Sequence, residues 1–223
     1  MSDGLQTLRI ESQHLGQVAE VHVRAFPDSA LTKLGHEAVK RYYAWQLNGP
    51  HDHHFLGAFD RDTLVAFAVG GKSRGALSGF IRRHRFFLAS RLLRHPGIVF
   101  SEHGGNAFRT ALRLLAPASR KVRPSPKPNE GGRSFGLLAI AVDPACRRKG
   151  AGRLLMQELE RFATDRNHLK MHLTVHPNNA KAILFYERLG WMKSEDDGAW
   201  GGRMEKALND PTKVGICGSM QYC

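Results

Sequence analysis

The sequence predicts an α/β fold, in which short β-strands are connected by amphipathic helices. In several segments apolar residues recur every three or four positions, which is the spacing of a helix with one buried face. Between these segments lie short apolar runs bounded by Gly, Pro, Asn or Asp, which are typical of strands. The chain has 223 residues, of which 42% are hydrophobic, so we expect one domain with an ordinary buried core.

The first 70 residues predict a strand, two helices and a β-hairpin. Ser12 is a residue type that favours a helix N-cap, and Pro27 ends the helical pattern that follows it. A turn is predicted at 26–29, between the two helices. The predicted elements are a strand at 7–10, helices at 15–26 and 36–47, and hairpin strands at 55–59 and 64–69.

The region after residue 134 predicts two strand–helix units and a closing pair of strands. Its strands alternate with helical segments, and glycines mark the turns between them. The predicted elements are a strand at 137–142, a helix at 153–166, a strand at 169–175, a helix at 180–189, and strands at 191–193 and 203–208.

A strongly basic segment separates these two regions. The chain carries 33 Lys and Arg against 20 Asp and Glu, a net charge of +13, and residues 72–133 contain fourteen of those bases but only two of the acids. Helices are predicted near 77–92 and 108–115, followed by a loop at 116–132 that contains four prolines. We therefore expect one domain at 1–208, with 72–133 as a basic helical insertion, and a tail at 209–223.

The basic insertion favours a polyanionic partner. Its first predicted helix interleaves apolar and arginine side chains, which is typical of an amphipathic helix on a membrane surface. An anionic membrane contacted through residues 77–94 is therefore one interpretation, and a solvated helical lid is the other. Nucleic acid is not expected, because no recognised reading motif accompanies the charge. The interleaved residues are Phe80, Ile81, Arg82, Arg83, Arg85, Phe86, Phe87, Leu88 and Arg91.

The cysteine content and the N-terminal residues predict a reduced, cytoplasmic protein, with peripheral membrane association as the alternative. Three cysteines, at 146, 217 and 223, are an odd number and do not suggest a disulfide framework. The N-terminal residues have neither the basic start nor the apolar segment of a secretory signal, and no apolar run approaches the roughly 20 residues that cross a bilayer. Cys146 is expected to be a small apolar filler rather than a nucleophile.

The turn after the strand at 137–142 has the composition of an anion-binding loop. It reads Arg147-Arg148-Lys149-Gly150-Ala151-Gly152, and a helix follows from Arg153. The first amides of a helix lack intrahelical acceptors, and the helix dipole adds about half a positive charge. Small residues at 150–152 allow the backbone to approach a phosphate closely, and the basic side chains add charge. We therefore predict that residues 147–153, here called the phosphate loop, bind a diphosphate.

Two motifs of this region resemble those of the GNAT acyltransferase superfamily. Arg147-x-x-Gly150-x-Gly152, between a strand and a helix, resembles the acetyl-CoA signature of that family. Asn179-x-x-Ala182-x-x-x-Tyr186, followed by Glu187-Arg188-Leu189-Gly190-Trp191, resembles a second motif at the spacing that the family uses. The resemblance covers residues 134 to about 208, and the first 70 residues agree with it in the order of their elements.

The resemblance implies the GNAT fold, a mixed and mostly antiparallel central sheet flanked by helices. It also implies acetyl-CoA as co-substrate and no metal. Pantetheine would pair with the backbone of Ile140, Ala141 and Val142, where their strand splays from its neighbour. Tyr186 would donate a proton to the leaving CoA thiolate, with a purely structural core aromatic as the alternative. Asn179 would orient CoA or its bound water.

The activity implied is transfer of an acetyl group from CoA to a primary amine of a small molecule or sugar, by direct attack. Acetylation of a protein amine is one alternative, and a non-catalytic module that binds a polyanion or a membrane surface is another. The general base stays open, because the strand at 137–142 carries no acid. The alternatives are His172, His176, Glu187, Asp28 or proton removal through water. The histidines at 51, 53 and 54 are expected to decorate a loop rather than bind metal.

Overall fold

The computed structural model describes residues 4–72, 76–94, 133–147, 149–194 and 200–208. The strands are β1 (Gln6–Arg9), β2 (His53–Asp60), β3 (Thr63–Gly71), β4 (Ser134–Val142), β5 (Lys170–Thr174), β6 (Met192–Lys193) and β7 (Arg203–Ala207). The helices are α1 (Leu15–Ala25), α2 (Ala30–Lys33), α3 (His36–Asn48), α4 (Ala76–Arg83), α5 (Arg85–Arg94), α6 (Ala151–Asp165) and α7 (Ala180–Glu187), with 3-10 turns at Ser12–His14 and Pro144–Cys146.

The strands form one seven-stranded sheet in the order β1-β2-β3-β4-β5-β7-β6. Neighbouring strands are antiparallel except for β4 and β5, which run parallel. A parallel pair needs a crossover connection, and α6 supplies it between β4 and β5. The prediction of a mixed, mostly antiparallel sheet flanked by helices is therefore confirmed.

The core lies in two layers, one on each face of the sheet. Helices α1 and α3 cover one face, where Val18, Val39 and Tyr43 pack on aromatic residues of β2 and β3. Helix α6 covers the other face, where Leu155 and Leu159 are fully buried. Since β3 lies between these layers, its residues are buried on both sides, and this explains why the sequence of β3 is apolar without alternation.

The start of α1 differs from the sequence prediction. Ser12 lies inside the 3-10 turn, and Glu11 is the residue that caps it. The Glu11 side chain accepts from the backbone of His14, and the amide of Glu11 donates to Nδ1 of His14 over 3.1 Å. These two reciprocal hydrogen bonds give partners to two backbone amides at the start of the helix, whereas the Ser12 side chain alone would serve only one. Ser29, in the predicted turn, caps the short helix α2, which was not predicted, by accepting from the amide of Thr32.

The first helix of the basic insertion is broken at His84 and packs against α3. Phe80 is only 2% exposed and meets the ring of Tyr42 edge-to-face, and Ile81 is buried beside it. The expectation that Phe80 and Ile81 face a membrane is therefore wrong, because both side chains are buried within the fold. The apolar side chains of this helix pair that remain widely exposed are Leu77, Phe86 and Leu93.

Several predictions fall on parts of the chain that the structure does not describe. The predicted helix at 108–115, the loop at 116–132 and the tail at 209–223 lie outside the described residues, and so does most of the turn between β6 and β7. None of the helices within the described ranges has the length and apolar character that crossing a bilayer requires.

Candidate active site

The parallel strands β4 and β5 pair over three residues and then diverge. Ser134, Phe135 and Gly136 pair with Lys170, Met171 and His172 respectively, and the register ends there. β4 continues to Val142 and stays paired with β3 on its other side. Unpaired backbone groups inside a sheet are costly. An extended ligand with amide groups could pair with the edge of β4 after Gly136, where β5 no longer pairs with it. The divergent pair, here called the fork, is the predicted splay, and Ile140, Ala141 and Val142 lie along its open arm.

A β-bulge lies at the base of the fork. Val69 of β3 faces Ala139 and the next residue, Gly70, faces Leu137, so Leu138 has no partner of its own on β3. A bulge re-aims local backbone groups and increases the twist of its strand. The sequence analysis did not find this feature, although Gly70-Gly71 opposite the bulge was a usable signal, because glycine inside a strand often marks one.

The N-terminus of α6 lies at the end of the sheet toward which the fork opens. β4 ends at Val142, and the short turn Pro144–Cys146 leads to Gly150, which is the N-cap of α6. Gly150 has φ of +84°, a left-handed conformation that favours glycine, and the amide of Leu154 donates to its carbonyl over 3.0 Å. Arg147 and Lys149 are exposed beside it, and Arg148 lies outside the described residues. The first amides of α6 and these two cations are thus available to an anion.

Ala151 and Gly152 are buried, and the small size of Gly152 serves packing as well as access. A Cβ on Gly152 would lie 3.4 Å from Cγ2 of Val142 and 3.4 Å from Cζ of Phe185. The helix therefore approaches both β4 and α7 closely at this point. A large side chain at residue 152 would disturb that packing in addition to any block at the phosphate loop. Arg153, one residue further, is exposed.

Tyr186 lies on the buried face of α7. Its ring packs against Trp191 and Phe185, in the same core layer as Leu137 of β4 and Leu173 of β5. Burial raises the pKa of Tyr186 to about 12. The phenol therefore keeps its proton at neutral pH, which a proton donor requires. The same burial is what a purely structural aromatic would show, so the structure leaves both predicted roles compatible with this position.

Asn179 is the N-cap of α7. Its Oδ1 accepts a hydrogen bond from the amide of Ala182 over 3.2 Å. This contact explains why the motif needs Asn at this position, because a short side-chain acceptor satisfies an orphan amide at a helix start. Any contact with CoA would come in addition to this capping role.

The base of the fork holds an imidazole and a hydroxyl. Nδ1 of His172 lies 2.8 Å from Oγ of Ser134, and its Nε2 would lie 3.1 Å from a Cβ on Gly136. Glycine at 136 therefore makes room for the His172 ring. Burial lowers the pKa of His172, although the nearby carboxylate of Glu205 opposes this effect. The imidazole is accordingly neutral at pH 7 and can accept a proton.

The other sequence candidates for a base lie away from the base of the fork. His176 is exposed after the end of β5, and its Nδ1 accepts from the amide of Asn178. Glu187 is exposed and lies 3.5 Å from Nζ of Lys193. Asp28 is exposed in the turn after α1. The structure therefore places His172 at the base of the fork and the phosphate loop beyond its open end, whereas these three side chains are exposed and lie outside the residues that pair at the base.

Asp143 is a further residue that the sequence analysis missed. Its carboxylate is buried, accepts from the amide of Ala145, and lies 2.9 Å from Nη1 of Arg24 on α1. These contacts hold the turn between β4 and the phosphate loop. The dipeptide Asp143-Pro144 after a strand was the available signal, since Asp before Pro favours a turn.

The expectation that the histidines at 51, 53 and 54 decorate a loop is wrong for His53 and His54, which begin β2, and all three rings make contacts. His51 stacks on His53 with ring centroids 4.9 Å apart, and His54 stacks on Phe162. Within the described ranges, no three His, Cys, Asp or Glu side chains gather in a way that would hold a metal ion.

Comparison with known proteins agrees with the motifs. Residues 119–191 match the model of the acetyltransferase (GNAT) family. A segment of 55 residues is 42% identical to the [ribosomal protein bS18]-alanine N-acetyltransferase of Salmonella typhimurium, and it spans 25% of this chain and 37% of that enzyme. The resemblance drawn from Arg147 to Trp191 is therefore confirmed.

Solved structures share the fold at low sequence identity. The PaiA N-acetyltransferase of Thermoplasma acidophilum, in complex with coenzyme A, has a TM-score of 0.55 at 16% identity, over 92% of this chain and 99% of its own. YncA of Salmonella typhimurium, a putative acetyltransferase with its cofactor acetyl-CoA, has a TM-score of 0.52 at 16% identity, over 96% of this chain and 100% of its own. The motifs, the family model over residues 119–191 and the shared fold thus agree, and the chain spans only about a third of the length of the curated relative that it matches.

Substitutions of Gly150 should separate backbone strain from steric exclusion. A Cβ at this position would meet no atom within 4 Å, so the left-handed φ is the only obstacle. We expect Gly150→Val to lower the free energy of unfolding by about 1–2 kcal/mol and to weaken acetyl-CoA binding. Gly150→Asn should cost clearly less, because Asn tolerates this conformation. Urea unfolding and acetyl-CoA titration measure both effects, and equal losses in the two variants would contradict the assigned backbone conformation.

Proposed function

We propose that the protein is an acetyl-CoA-dependent N-acetyltransferase that acts on a primary amine. The observation that carries the proposal is the fork between β4 and β5, which opens toward the N-terminus of α6. A ligand that pairs with the open arm of β4 and ends in a diphosphate matches both features. Pantetheine attached to a nucleoside diphosphate has that form, because its amide groups pair like a strand.

The residues of the site fit coenzyme A. The first amides of α6, with Arg147 and Lys149 beside them, would hold the diphosphate, and the main chain at Ile140, Ala141 and Val142 would pair with pantetheine. Arg148 and Arg153 add positive charge to the same loop. When bound, acetyl-CoA supplies an acetyl thioester whose C–S bond breaks as the amine nitrogen forms the new amide bond. The main-chain groups re-aimed by the bulge at Leu138 would polarise the carbonyl.

Tyr186 is proposed to assist the departing sulfur. Its pKa of about 12 keeps the O–H intact across the neutral range. An ordinary thiol has a pKa of about 8.5, so full proton transfer from this phenol to a thiolate is uphill by about three and a half pKa units. The main contribution of the phenol is therefore a hydrogen bond to the sulfur as negative charge develops there. CoA leaves as the thiolate and takes its proton from solvent, while Tyr186 keeps its own.

His172 is proposed to accept the proton that the attacking ammonium must lose. It stands at the residue pair where the fork closes, so a thioester that enters from the α6 end would stop near it. The contact between its Nδ1 and the Ser134 hydroxyl holds the ring in place.

The acceptor favoured by the comparisons is the α-amine of a protein. The curated relative is named for acetylating alanine of a ribosomal protein. Nothing among the described residues favours a sugar or another small-molecule amine, which the sequence analysis placed first. We therefore propose a peptide N-terminal amine, with small-molecule amines as the second candidate.

An acetyl-transfer assay with a Tyr186 variant tests the activity. With acetyl-CoA and a peptide that begins with alanine, we expect release of CoA thiol and an N-acetylated peptide. Tyr186→Phe should lower kcat by about 10²- to 10⁴-fold, because it removes the donor to the leaving sulfur, and it should leave acetyl-CoA affinity unchanged.

Three other outcomes of this assay would change the conclusion. A panel with hexosamines and polyamines separates the acceptor classes, and turnover of these alone would overturn the peptide assignment. Acetyl-CoA binding without turnover of any amine would favour a non-catalytic module. An unchanged kcat in Tyr186→Phe would leave Tyr186 with a structural role only.

The pH dependence of the reaction tests His172. Because its pKa is lowered, the neutral form dominates at pH 7, and kcat/KM should fall only as the pH drops below 6.5. His172→Gln should lower kcat/KM by about 10²-fold or more and remove this acidic limb. His176→Gln, at an exposed histidine after the end of β5, should change neither kcat/KM nor the acidic limb. Melting temperature and acetyl-CoA affinity serve as controls for folding. A variant at 172 that keeps the limb would place proton removal elsewhere, through water.

We also propose that residues 77–94 contact an anionic membrane. The contacting side chains are limited to the exposed Leu77, Phe86 and Leu93 and to the arginines near them. The protein should sediment with anionic vesicles at low salt and be released at high salt. The double substitution of Phe86 and Leu93 by Ser should abolish sedimentation, whereas Leu8→Ser, at an equally apolar exposed position on β1, should not. Sedimentation that ignores salt, or that the double variant retains, would contradict the contact.

A further inference from the structure

A second basic pocket lies between α3 and the helices of the basic insertion. It has a volume of about 560 Å³, which is in the range of small-molecule sites. One wall is the outward face and the end of α3, and the other is the end of α4. Its principal lining residues are Arg41, Trp45, Asn48, Pro50, Arg83 and His84. No carboxylate is among the residues that line it.

Two guanidinium groups provide the charge of this pocket. Nε of Arg41 lies 2.7 Å from Oε1 of Glu37, and its Cζ lies 4.1 Å from the centroid of the Phe87 ring. These contacts hold the Arg41 side chain and use only one of its donors. Arg83 makes no ion pair within the described part of the chain, and its Cζ lies 5.9 Å from the Trp45 ring. The net charge of the pocket, with Glu37 included, is therefore positive.

The apolar part of the pocket is flat and fixed. Trp45 packs so closely on α4 that a Cβ on Gly79 would lie 2.7 Å from its Cζ2. The ring of His51 meets Trp45 edge-on at 5.2 Å. The indole is thus held from two sides, and together with Pro50 it lines the pocket beside the Arg83 guanidinium, where a planar group can pack against it.

This pocket is separate from the proposed acetyl-CoA site. It adjoins the end of α3, which leads into the start of β2. The start of β2 pairs with the end of β3, and the end of β3 pairs with Gly136 at the start of β4. The phosphate loop follows the other end of β4. A whole strand of the sheet therefore lies between the two positively charged sites.

We propose that this pocket binds a phosphate monoester whose organic part is planar and apolar. A single guanidinium fork saturates a carboxylate, whereas two forks, an imidazole and the Asn48 amide suit an anion with three terminal oxygens. The Trp45 face accounts for the planar part. The pKa of His84 agrees with this chemistry, because it is lowered by burial and further by Arg41 and Arg83. Both arginines therefore act electrostatically on the imidazole, which lines the pocket with them.

Calorimetric titration with phenyl phosphate tests the proposal, in the presence of saturating CoA so that the phosphate loop is occupied. We expect saturable binding that is tighter than that of inorganic phosphate. Arg83→Gln should weaken it by about tenfold or more, because a charge-assisted hydrogen bond is lost. Arg82→Gln removes the same charge from the next residue, which does not line the pocket, and should change binding by less than about twofold.

The imidazole of His84 provides a second readout by NMR, with His84→Gln to assign its signal. Its pKa should rise when phenyl phosphate binds, because a dianion offsets the field of the two arginines. No saturable binding, or equal losses in Arg82→Gln and Arg83→Gln, would overturn the proposal and indicate diffuse attraction. Binding of inorganic phosphate as tight as that of phenyl phosphate would refute the role of Trp45. Neither readout depends on acetyl transfer, so failure here leaves the proposed activity standing.

Discussion

The separation of β4 from β5 after three paired residues is the constraint on which the site depends. A sheet normally extends its pairing as far as both strands continue, since each unpaired backbone group inside it carries a cost. Here β4 continues for six residues beyond the last pair. Under the proposed function, an extended, amide-containing ligand would supply the partners that the backbone groups along that arm lack. The proposed binding site is therefore a gap in the hydrogen bonding of the sheet.

Packing at the open end of the fork, next to the start of α6, helps to explain how β4 and β5 stay apart. Gly152 lets the start of α6 lie against Val142 of β4 and Phe185 of α7, so one helix contacts an element on each side of the gap. Asp143, held by Arg24, fixes the turn that leads to that helix. At the base, Gly136 accommodates the ring of His172. Gly152 and Asp143 thus affect the packing at the open end of the fork, and Gly136 affects the packing at its base.

Among the described residues, positive side chains gather at two separate places. One is the start of α6, where Arg147 and Lys149 are exposed beside the first amides of the helix. The other is the pocket between α3 and α4, which Arg41 and Arg83 line. Phe80 packs against Tyr42 of α3, and burial removes both Phe80 and Ile81 from any membrane surface. This packing limits the membrane interpretation of residues 77–94 to the side chains that stay exposed.

Local patterns in the sequence were sufficient for most of the strand and helix order and for the two motifs that resemble the GNAT family. The small residues before α6 and the apolar period of that helix are local signals, whereas the left-handed φ of Gly150 was not predicted. The tertiary structure alone decided the bulge at Leu138, the contact of His172 with Ser134, which are 38 residues apart, and the pocket around Arg83. Strand register and helix docking depend on which distant side chains fill the same space, and no local pattern of residues contains that information.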